Sequence, residues 1–377
     1  MFNKNCYQKI LTPCHIIDAN TLINNLQILY KIKKEAGCKL LFANKGFTND
    51  YFYKYFDGIV DGISASGLFE AKLAKEKFKG EVHTFSPSYT IDNFRKIDFY
   101  SDVTVFNSKQ QFNLISEFFD KTNSDFAIRI NPEYSEQKDY RIDPCHRFSR
   151  FGVHIKDLTD EVVKNIKGLH LHSMCEQYEH TLKNTMQKTI STFDEVLKNV
   201  QWLNLGGGQL YTDEKYNILV AINIIKEIRE RYKLDIYIEP CEAFLLKAGF
   251  FASKVVDVVY NGINNIILDS SVICHLPDIV HSPFRCNIID SGHPFEKAYT
   301  YRICGCSCYA GDIFGDYSFD KEIKVGDILF FEDTAQYSMV KNNMFNGIQP
   351  PHLFEYNLNE NLELIKSYGY DVFYSMV

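Results

Sequence analysis

The feature that most constrains the fold is a regular alternation of short apolar runs with amphipathic segments through the first two thirds of the chain. Eight runs have the length and composition of buried β-strands: 39–43, 59–64, 82–86, 102–106, 126–130, 167–172, 201–205 and 235–239. Segments with helical periodicity lie between them, among them 67–79, 109–119, 181–199 and 215–231. A further helix over 19–37, with Asn20 or Thr21 as its cap, is expected before the first strand. Strands that alternate with helices form parallel sheets, and eight such units predict a closed (β/α)8 barrel of the TIM type.

The chain after about residue 250 has a different pattern, in which apolar runs follow one another without comparable helical segments. Five runs are typical of strands: 253–260, 265–268, 298–303, 324–331 and 337–340. They predict a mainly β C-terminal domain, with which a strand at 12–17 could pair. We therefore expect a barrel over 20–250 and a β domain formed by 1–19 plus 251–377, an α/β + β architecture.

Charge and hydropathy exclude several classes of partner. Lysine and arginine number 41 against 48 aspartate and glutamate, which gives a formal net charge of −7. A mildly acidic chain with no basic block repels the negative charges of nucleic acids and anionic membranes, so we do not expect it to bind them. We therefore expect a small-molecule or protein partner. No apolar run approaches the roughly 20 residues that span a bilayer, and no signal segment is recognisable, so we expect a cytoplasmic protein.

The 11 cysteines are scattered and odd in number, which favours thiols over a disulfide framework in a reducing compartment. Cys304, Cys306 and Cys308 alternate along a predicted strand. Their C-x-C-x-C spacing lacks the pattern of zinc sites, so we predict no metal centre.

Polar and glycine-rich residues collect where the predicted barrel strands end, which is the face that carries the chemistry in such barrels. Lys45 follows the first strand, where a desolvated lysine can form a Schiff base or simply extend to solvent. Three glycines at 206–208 follow the seventh strand and can cradle a phosphate or form an ordinary turn. Glu239 ends the eighth strand, where a buried carboxylate needs a partner such as a protonated pyridine nitrogen or a basic side chain.

Two histidines end the sixth strand. His170 or His172 could stack on a cofactor ring or carry a proton, or could be a hydrogen-bonded core residue. Since they alternate along the strand, we expect one to face the barrel lumen and the other the helical layer. A lysine, a stacking histidine, a glycine turn and an acid at one end of a barrel together predict a pocket for pyridoxal 5'-phosphate (PLP).

Several motifs fall in the order and spacing of a known family. In the barrel they are LFANKGF (41–47), SGLFEA (66–71), HTFS (83–86), SRFG (149–152), GLHLH (168–172), GGG (206–208) and Glu239-Pro240. In the second domain they are LPD (276–278), CYAGD (308–312), YSMVK (337–341) and FNGI (345–348). In these motifs the chain resembles, over essentially its whole length, the fold-type III pyridoxal phosphate decarboxylases, an alanine-racemase-like group that includes ornithine and diaminopimelate decarboxylases. It is most similar to the branch that acts on carboxynorspermidine and carboxyspermidine.

The resemblance implies a set of cofactor contacts. Lys45 would form a Schiff base with PLP, His172 would stack on the pyridine ring, and Glu239 would pair with the ring nitrogen. The phosphate would be bound by Gly207, Gly208 and Tyr337. Racemases of this fold usually place an arginine at the ring nitrogen, so Glu239 favours decarboxylation, which would yield norspermidine or spermidine.

The resemblance also implies substrate contacts and a homodimer. Cys308 would protonate Cα, and Arg150 would brace the site electrostatically. Asp312 would contact a substrate amine, with Glu176 and Asp278 as further candidates that could instead form ion pairs. Because family members are dimers with shared sites, Cys308 and Asp312 would enter from the partner chain.

Three positions depart from the family pattern. Cys241 stands where glycine is usual and could crowd the phosphate or the ring edge, Val272 stands where a glutamate is expected, and Tyr309 replaces a leucine. These departures leave open a related decarboxylase of another basic or diamino acid. A non-catalytic PLP-binding protein is the remaining alternative.

Overall fold

The computed structural model describes residues 10–377. They form two compact units: Asn25–Phe244, and the residues up to Asn24 together with Leu245–Val377. The bounds that we predict for the barrel, 20–250, lie within six residues of these divisions. Residues 1–9 of the predicted β domain lie outside the described part of the chain.

The first strand runs directly into the first helix. β1 (Cys14–Asp18) is followed at once by α1 (Ala19–Ala36). The predicted cap, Asn20 or Thr21, was wrong. The Asp18 carboxylate accepts hydrogen bonds from the backbone N–H of Asn20 at 2.9 Å and from the hydroxyl of Thr21 at 2.7 Å. Asp18 therefore caps the helix, where a carboxylate also complements the positive end of the helix dipole.

Eight parallel strands close into a barrel, which confirms the predicted fold. They are β2 (Lys39–Ala43), β3 (Gly62–Ala65), β4 (Glu81–Phe85), β5 (Val103–Phe106), β6 (Asp125–Ile130), β7 (Gly168–Leu171), β8 (Trp202–Asn204) and β9 (Asp235–Ile238). Each strand pairs with the next, and β9 closes on β2 with Tyr237 opposite Lys39. The largest shift from the prediction is at β3, because Ile59 and Val60 belong to a turn whose N–H groups donate to the carbonyl of Phe56.

Helices connect the barrel strands, and one more follows the last strand. They are α2 (Leu68–Lys77), α3 (Ile91–Tyr100), α4 (Lys109–Ser116), α5 (Asp160–Asn165), α6 (Glu179–Leu197), α7 (Ile218–Tyr232) and α8 (Cys241–Leu245). The four helices that we named between strands correspond to α2, α4, α6 and α7. Part of the barrel interior is filled by one buried cluster: Leu41, Val103, Val105, Ala127, Trp202 and Tyr237.

The second unit is mainly β, as expected. Its remaining strands are β10 (Gly249–Tyr260), β11 (Asn264–Leu268), β12 (Ser291–Gly292), β13 (Tyr299–Cys304), β14 (Ile313–Phe319), β15 (Ile328–Glu332), β16 (His352–Tyr356) and β17 (Leu362–Lys366). The sheet order is β12-β14-β13-β11-β10-β1-β16-β17, and β15 also pairs with β10. β1 lies antiparallel to β10 and parallel to β16, which confirms that the N-terminal strand joins this sheet.

Short helices complete the β unit: α9 (Val272–His275), α10 (Asp278–His281) and α11 (Tyr370–Tyr374). The strand predicted at 337–340 was wrong, because Tyr337 has a φ of 60° and a 3-10 helix, Met339–Lys341, follows it. A left-handed residue cannot continue an extended strand. Strands β12, β14, β16 and β17 were not predicted. No helix within residues 10–377 has the length and apolar character needed to cross a membrane.

Candidate active site

A short anchored turn carries Lys45 at the carboxyl end of the barrel. β2 ends at Ala43, and the chain enters the 3-10 turn Asn44–Gly46. Asn44 is fully buried, and its Oδ1 accepts a hydrogen bond from the Tyr53 hydroxyl at 2.7 Å. Lys45 itself is half-buried. Its ammonium group helps to lower the pKa of Glu239, which places the two side chains in one electrostatic cluster.

Glu239 follows β9 and is only 5% exposed. Its Oε1 accepts a hydrogen bond from Nδ2 of Asn204 at 2.5 Å, and its Oε2 lies 3.7 Å from Nε2 of His170. Burial alone would raise the pKa of this carboxyl, but the opposing effects of His170, Lys45 and the Asn204 hydrogen bond lower it below its ordinary value. Glu239 is therefore a buried carboxylate that is ionised at neutral pH and can pair with a cationic group.

The glycine turn after β8 leaves no room for side chains. Gly206 and Gly208 have positive φ angles of 69° and 85°. A Cβ at Gly207 would clash with the carbonyl oxygen of Glu239, and one at Gly208 would clash with that of Met174. Only glycine fits this backbone cradle, because it tolerates both the left-handed conformation and the close approach of neighbouring strand ends.

His170 and His172 share one face of the chain. Their ring centroids lie 6.3 Å apart with the planes inclined by 21°. The expectation of opposite faces was wrong, because side chains two residues apart along a strand point the same way. Burial lowers the pKa of His170 to about 3 and that of His172 well below its ordinary value, with Lys45 adding to the second shift. Nδ1 of His172 accepts the N–H of Gly207 at 3.1 Å, so the neutral ring carries its proton on Nε2.

An arginine that the sequence analysis did not single out lies beside the histidines. Arg129 of β6 is 4% exposed, and its Nη2 donates to the carbonyl oxygen of His172 at 2.8 Å. Its guanidinium carbon lies 4.8 Å from the ring centroid of Phe85 and 4.6 Å from that of Phe151. Burial lowers the pKa of Arg129 to about 10, so the group stays cationic at neutral pH. An arginine inside the apolar run 126–130 was the signal that could have revealed it.

The comparisons with known proteins agree with this arrangement. Residues 51–335 match the family model described as "Pyridoxal-dependent decarboxylase, C-terminal sheet domain". The chain belongs to the pyridoxal-dependent decarboxylases. Carboxynorspermidine/carboxyspermidine decarboxylase of Campylobacter jejuni is 33% identical over 97% of this chain and 98% of its own length. Carboxyaminopropylagmatine decarboxylase of Synechocystis sp. is 34% identical over 96% of this chain and 94% of its own length.

Solved structures of decarboxylases share the fold. The crystal structure of carboxynorspermidine decarboxylase from Campylobacter jejuni, complexed with norspermidine, matches with a TM-score of 0.91 at 31% identity and covers 98% of this chain and 100% of its own. Diaminopimelate decarboxylase from Helicobacter pylori, complexed with L-lysine, matches with a TM-score of 0.83 at 15% identity over 99% and 98% of the two chains. The second likeness shows the fold alone.

The barrel residues of this decarboxylase fit PLP. A half-buried lysine, an ionised buried carboxylate and a neutral imidazole lie in one cluster, beside a glycine cradle that any Cβ would fill. These groups offer an amine for the aldehyde, an anion for the ring nitrogen, a flat ring for stacking and backbone amides near the phosphate. The N–H of Gly207, which we expected at the phosphate, donates to His172 in this structure.

In the β unit of the decarboxylase, Asp312 anchors the turn that carries Cys308. The Asp312 side chain is 3% exposed, and its carboxylate accepts the N–H of Val272 at 2.7 Å and that of Ser307 at 3.0 Å. Cys308 is exposed, and its N–H donates to Oδ1 of Asn346 at 2.8 Å. The predicted proton donor and the predicted amine ligand therefore belong to one hydrogen-bonded turn.

Two further predicted residues are joined through a lysine. Both oxygens of Asp278 lie 2.7 Å from Nζ of Lys341. The same Nζ lies 5.0 Å from the ring centroid of Tyr337. Asp278 and Tyr337 thus share Lys341 as a neighbour, and the carboxylate of Asp278 is neutralised by it.

Two predicted residues of the barrel unit lie at its surface. Glu176 is exposed and has a φ of 51°. Arg150 is also exposed, with its guanidinium carbon 4.3 Å from the ring centroid of Phe151. In this structure Arg129, rather than Arg150, is the arginine buried beside His172.

The residues that depart from the family pattern have different surroundings. Cys241 is 4% exposed at the start of α8, and burial raises the pKa of its thiol to about 12, so it is neutral. Val272 is fully buried in the hydrophobic core of the β unit, in one cluster with Phe251 and Ile303. Tyr309 is half exposed.

Among residues 10–377, no three His, Cys, Asp or Glu side chains are grouped so as to hold a metal ion.

Proposed function

We propose that this chain is a PLP-dependent decarboxylase of carboxylated polyamines, which converts carboxynorspermidine or carboxyspermidine to norspermidine or spermidine. The observation that carries the proposal is the electrostatic cluster of Lys45, Glu239 and His172 at the carboxyl end of the barrel. It is supported by a relative named for both substrates that is 33% identical over 97% of the chain.

The barrel residues would hold the cofactor. PLP, when bound, supplies a sink for the electron pair that remains at Cα after the carboxylate leaves. Lys45 would hold the aldehyde carbon, Glu239 the ring nitrogen, and His172 one face of the ring. The phosphate would be held by Gly207, Gly208 and Tyr337. An ionised Glu239 favours a proton on the ring nitrogen, and that proton makes the sink strong enough for decarboxylation.

Proton transfer at Cα is assigned to Cys308. Its thiol would donate a proton to Cα after the bond to the carboxylate carbon breaks, and Lys45 would then release the amine product. We propose that the protein is a homodimer in which Cys308 and Asp312 serve the site of the partner subunit. The exposure of Cys308 in the single chain supports this arrangement. Location in the cytoplasm stays a prediction from the sequence.

The substrate's cationic groups need carboxylates, and we assign them to Glu176, Asp278 and Asp312. Asp312 already accepts two backbone N–H groups, but a carboxylate has about four acceptor positions and keeps capacity for an ammonium group. At Asp278, a substrate ammonium would compete with Lys341. Arg150, exposed near Phe151, is assigned to electrostatic support.

A second candidate substrate is carboxyaminopropylagmatine. The Synechocystis relative named for it is 34% identical over 96% of the chain, a likeness equal to that of the carboxynorspermidine/carboxyspermidine relative. This candidate differs from the first in carrying a guanidino group, so the same carboxylates could serve it.

The test is mass spectrometry of purified, PLP-loaded protein incubated separately with carboxynorspermidine, carboxyspermidine and carboxyaminopropylagmatine. We expect conversion of the first two, and preferential conversion of the third would establish the second candidate. A protein that shows the visible band of lysine-bound PLP but converts none of the three would overturn the polyamine assignment. A Lys45→Ala variant, handled in the same way, serves as the control for background decarboxylation.

A further inference from the structure

Asn204 joins the glycine turn to the acid of the site. It is the last residue of β8 and is 1% exposed. Its Oδ1 accepts the backbone N–H of Gly206 at 2.8 Å, and its Nδ2 donates to Oε1 of Glu239 at 2.5 Å. One neutral side chain thus contacts both the cradle and the carboxylate.

The orientation of the Asn204 amide is determined by its partners. A backbone N–H can only donate, so the atom of Asn204 that faces Gly206 must be the oxygen. The amide nitrogen is then left to face Glu239, where it needs an acceptor. A protonated carboxyl could still accept at its carbonyl oxygen, but the hydrogen bond is stronger to the charged form, so this contact favours the ionised form of Glu239.

Other groups around Glu239 have less direct contacts. The titratable or charged side chains that act on it from the neighbouring elements are His170, Lys45, His83 and Arg129. Nε2 of His170 lies 3.7 Å from Oε2 of Glu239, beyond hydrogen-bond distance, and its low pKa leaves the ring neutral at physiological pH. Within residues 10–377, only Asn204 makes a short hydrogen bond to the carboxylate of Glu239.

We propose that Asn204 is a positioning residue that holds Glu239 ionised and aimed at the ring nitrogen of PLP. This inference rests on the proposed function, because it concerns the carboxylate assigned there to the cofactor. If this is correct, the charge state of Glu239 depends on the hydrogen bond that Nδ2 of Asn204 donates to it. The hydrogen bond between Oδ1 of Asn204 and the N–H of Gly206 would not be sufficient alone.

Replacement by aspartate separates these two contributions. In Asn204→Asp the oxygen that accepts from Gly206 remains, while the donor to Glu239 is lost and a second carboxylate takes its place. Two carboxylates at this distance share a proton, so the pKa of Glu239 rises. A more basic carboxylate takes the proton back from the ring nitrogen. Asn204→Ala, in contrast, removes both contacts.

A matched control exists on another strand end. Asn131 follows β6 and is 4% exposed, and its Oδ1 accepts the N–H of Glu133 at 2.9 Å while its Nδ2 donates to the carbonyl of Phe151 at 3.2 Å. It is thus a buried asparagine that tethers a barrel loop. Asn131→Asp reproduces the same chemical change at a side chain whose hydrogen bonds go to Glu133 and Phe151 rather than to Glu239.

The experiment measures the PLP dissociation constant and the visible spectrum of bound PLP from about pH 6 to about pH 9, for wild type and the three variants. We expect Asn204→Asp to bind PLP about tenfold more weakly near neutral pH, with the acidic limb of its binding profile moved up by about one pH unit. Asn131→Asp should keep the wild-type profile. Circular dichroism and thermal unfolding confirm that each variant is folded.

The outcomes are distinct. An Asn204→Asp protein with the wild-type binding profile, whether or not Asn204→Ala is impaired, would overturn the inference, because the donor atom would then be dispensable. An equal shift in Asn131→Asp would overturn it as well, since any buried aspartate would produce the effect. If the wild-type protein itself binds no PLP, the proposed function fails, and that failure is recognisable before any variant is compared.

Discussion

The two ends of the barrel lumen use similar residues in opposite ways. At the end where the strands begin, Nζ of Lys39 lies 2.7 Å from Glu81 and 2.8 Å from the hydroxyl of Tyr237. That hydroxyl and Nε2 of His83 both reach Oε2 of Glu81, at 2.9 Å and 3.0 Å. Lysine and glutamate are paired directly at this end, and Nδ1 of His83 is the atom of the cluster that has no hydrogen-bond partner within residues 10–377.

At the end where the strands finish, a lysine and a glutamate are again present, but they are kept apart. Lys45 makes no ion pair with any side chain of residues 10–377, and Glu239 is held by the neutral amide of Asn204. Both ring nitrogens of His170 lack a hydrogen-bond partner within the same residues. A buried polar group without a partner costs free energy, so a ligand that bonded these groups would stabilise this end of the barrel, whereas the lysine and glutamate of the other end already satisfy each other. The difference separates a site from a structural network.

The largest effect should come from exchanging the two lysines for alanine. Lys45→Ala should lower kcat by roughly a thousandfold or more, because no other amine replaces the group that holds the cofactor. Lys39→Ala should leave kcat within about twofold, since its partners lie at the opposite end of the lumen. Steady-state kinetics of both proteins checks this. Equal loss of kcat in the two variants would contradict the comparison.

A glycine at each end of the barrel, Gly207 and Gly62, allows effects on PLP binding to be separated from effects on stability. A Cβ would clash with the carbonyl of Glu239 at Gly207, and with that of Glu81 at Gly62. We expect Gly207→Ala and Gly62→Ala each to lower the free energy of unfolding by ~1–3 kcal/mol, because the backbone must shift in both. Only Gly207→Ala should weaken PLP binding. Denaturant unfolding of the apo proteins and PLP titration measure the two effects separately, and weakened PLP binding in Gly62→Ala would break the distinction.

The Lys39–Glu81 pair, at the end where the strands begin, should contribute to the stability of the fold and not to catalysis. Glu81→Gln removes the charge that Lys39 pairs with, and we expect a loss of ~1–2 kcal/mol in the free energy of unfolding, moderated by the solvent that reaches this partly exposed pair. Burial opposes ionisation of Glu81, yet His83 and Lys39 lower its pKa to about 2. Its contribution is therefore present above the pKa of an unfolded glutamate and is lost as the pH falls from about 4.5 towards 2. Urea unfolding at several pH values tests this, with kcat of Glu81→Gln expected to remain near wild type.

A second pH dependence of stability is expected at the end where the strands finish, and it grows only as the pH falls. Burial lowers the pKa of His170 to about 3 in the folded protein. As the pH drops below about 6.5, the imidazole is therefore protonated in the unfolded chain before it is protonated in the folded one. The free energy of unfolding then falls until the pH approaches 3. In His170→Asn the slope of unfolding free energy against pH should decrease by up to ~1.4 kcal/mol per pH unit in that window. Thermal or urea unfolding of the apo protein between about pH 5 and about pH 7 measures the slope. An unchanged slope would show that His170 is not buried as a neutral ring.

The barrel could be predicted because its signal is local. Each of its strands is a short apolar run, and Lys45, Glu239 and the glycines at 206–208 stand directly after such runs. A residue at a strand end is assigned to the chemical face as soon as the strand is recognised. The residues alone allowed both a structural and a catalytic interpretation of each of these side chains, and it was the resemblance to the decarboxylase family that assigned them roles in cofactor binding.

What the sequence did not reveal depends on pairing across strands. Asn204 is one residue among many asparagines until β8 is placed beside β9, which brings it to Glu239. Arg129 is recognisable as a buried cation only when Phe85 and Phe151 are seen on its two sides. In the β unit, strand β17 (Leu362–Lys366) is largely exposed and alternates weakly, so an apolar pattern does not mark it.

The position of β1 also bears on how the molecule is made. This strand, Cys14–Asp18, precedes the whole barrel in the chain, but its sheet neighbours β10 and β16 follow the barrel, and β16 ends at Tyr356. The barrel strands all lie between β1 and β10 in the chain, so they can fold while the sheet still lacks strands on both sides of β1. During synthesis β1 therefore has no sheet neighbour until β10 has been made, and its second edge stays open to erroneous pairing until β16 follows.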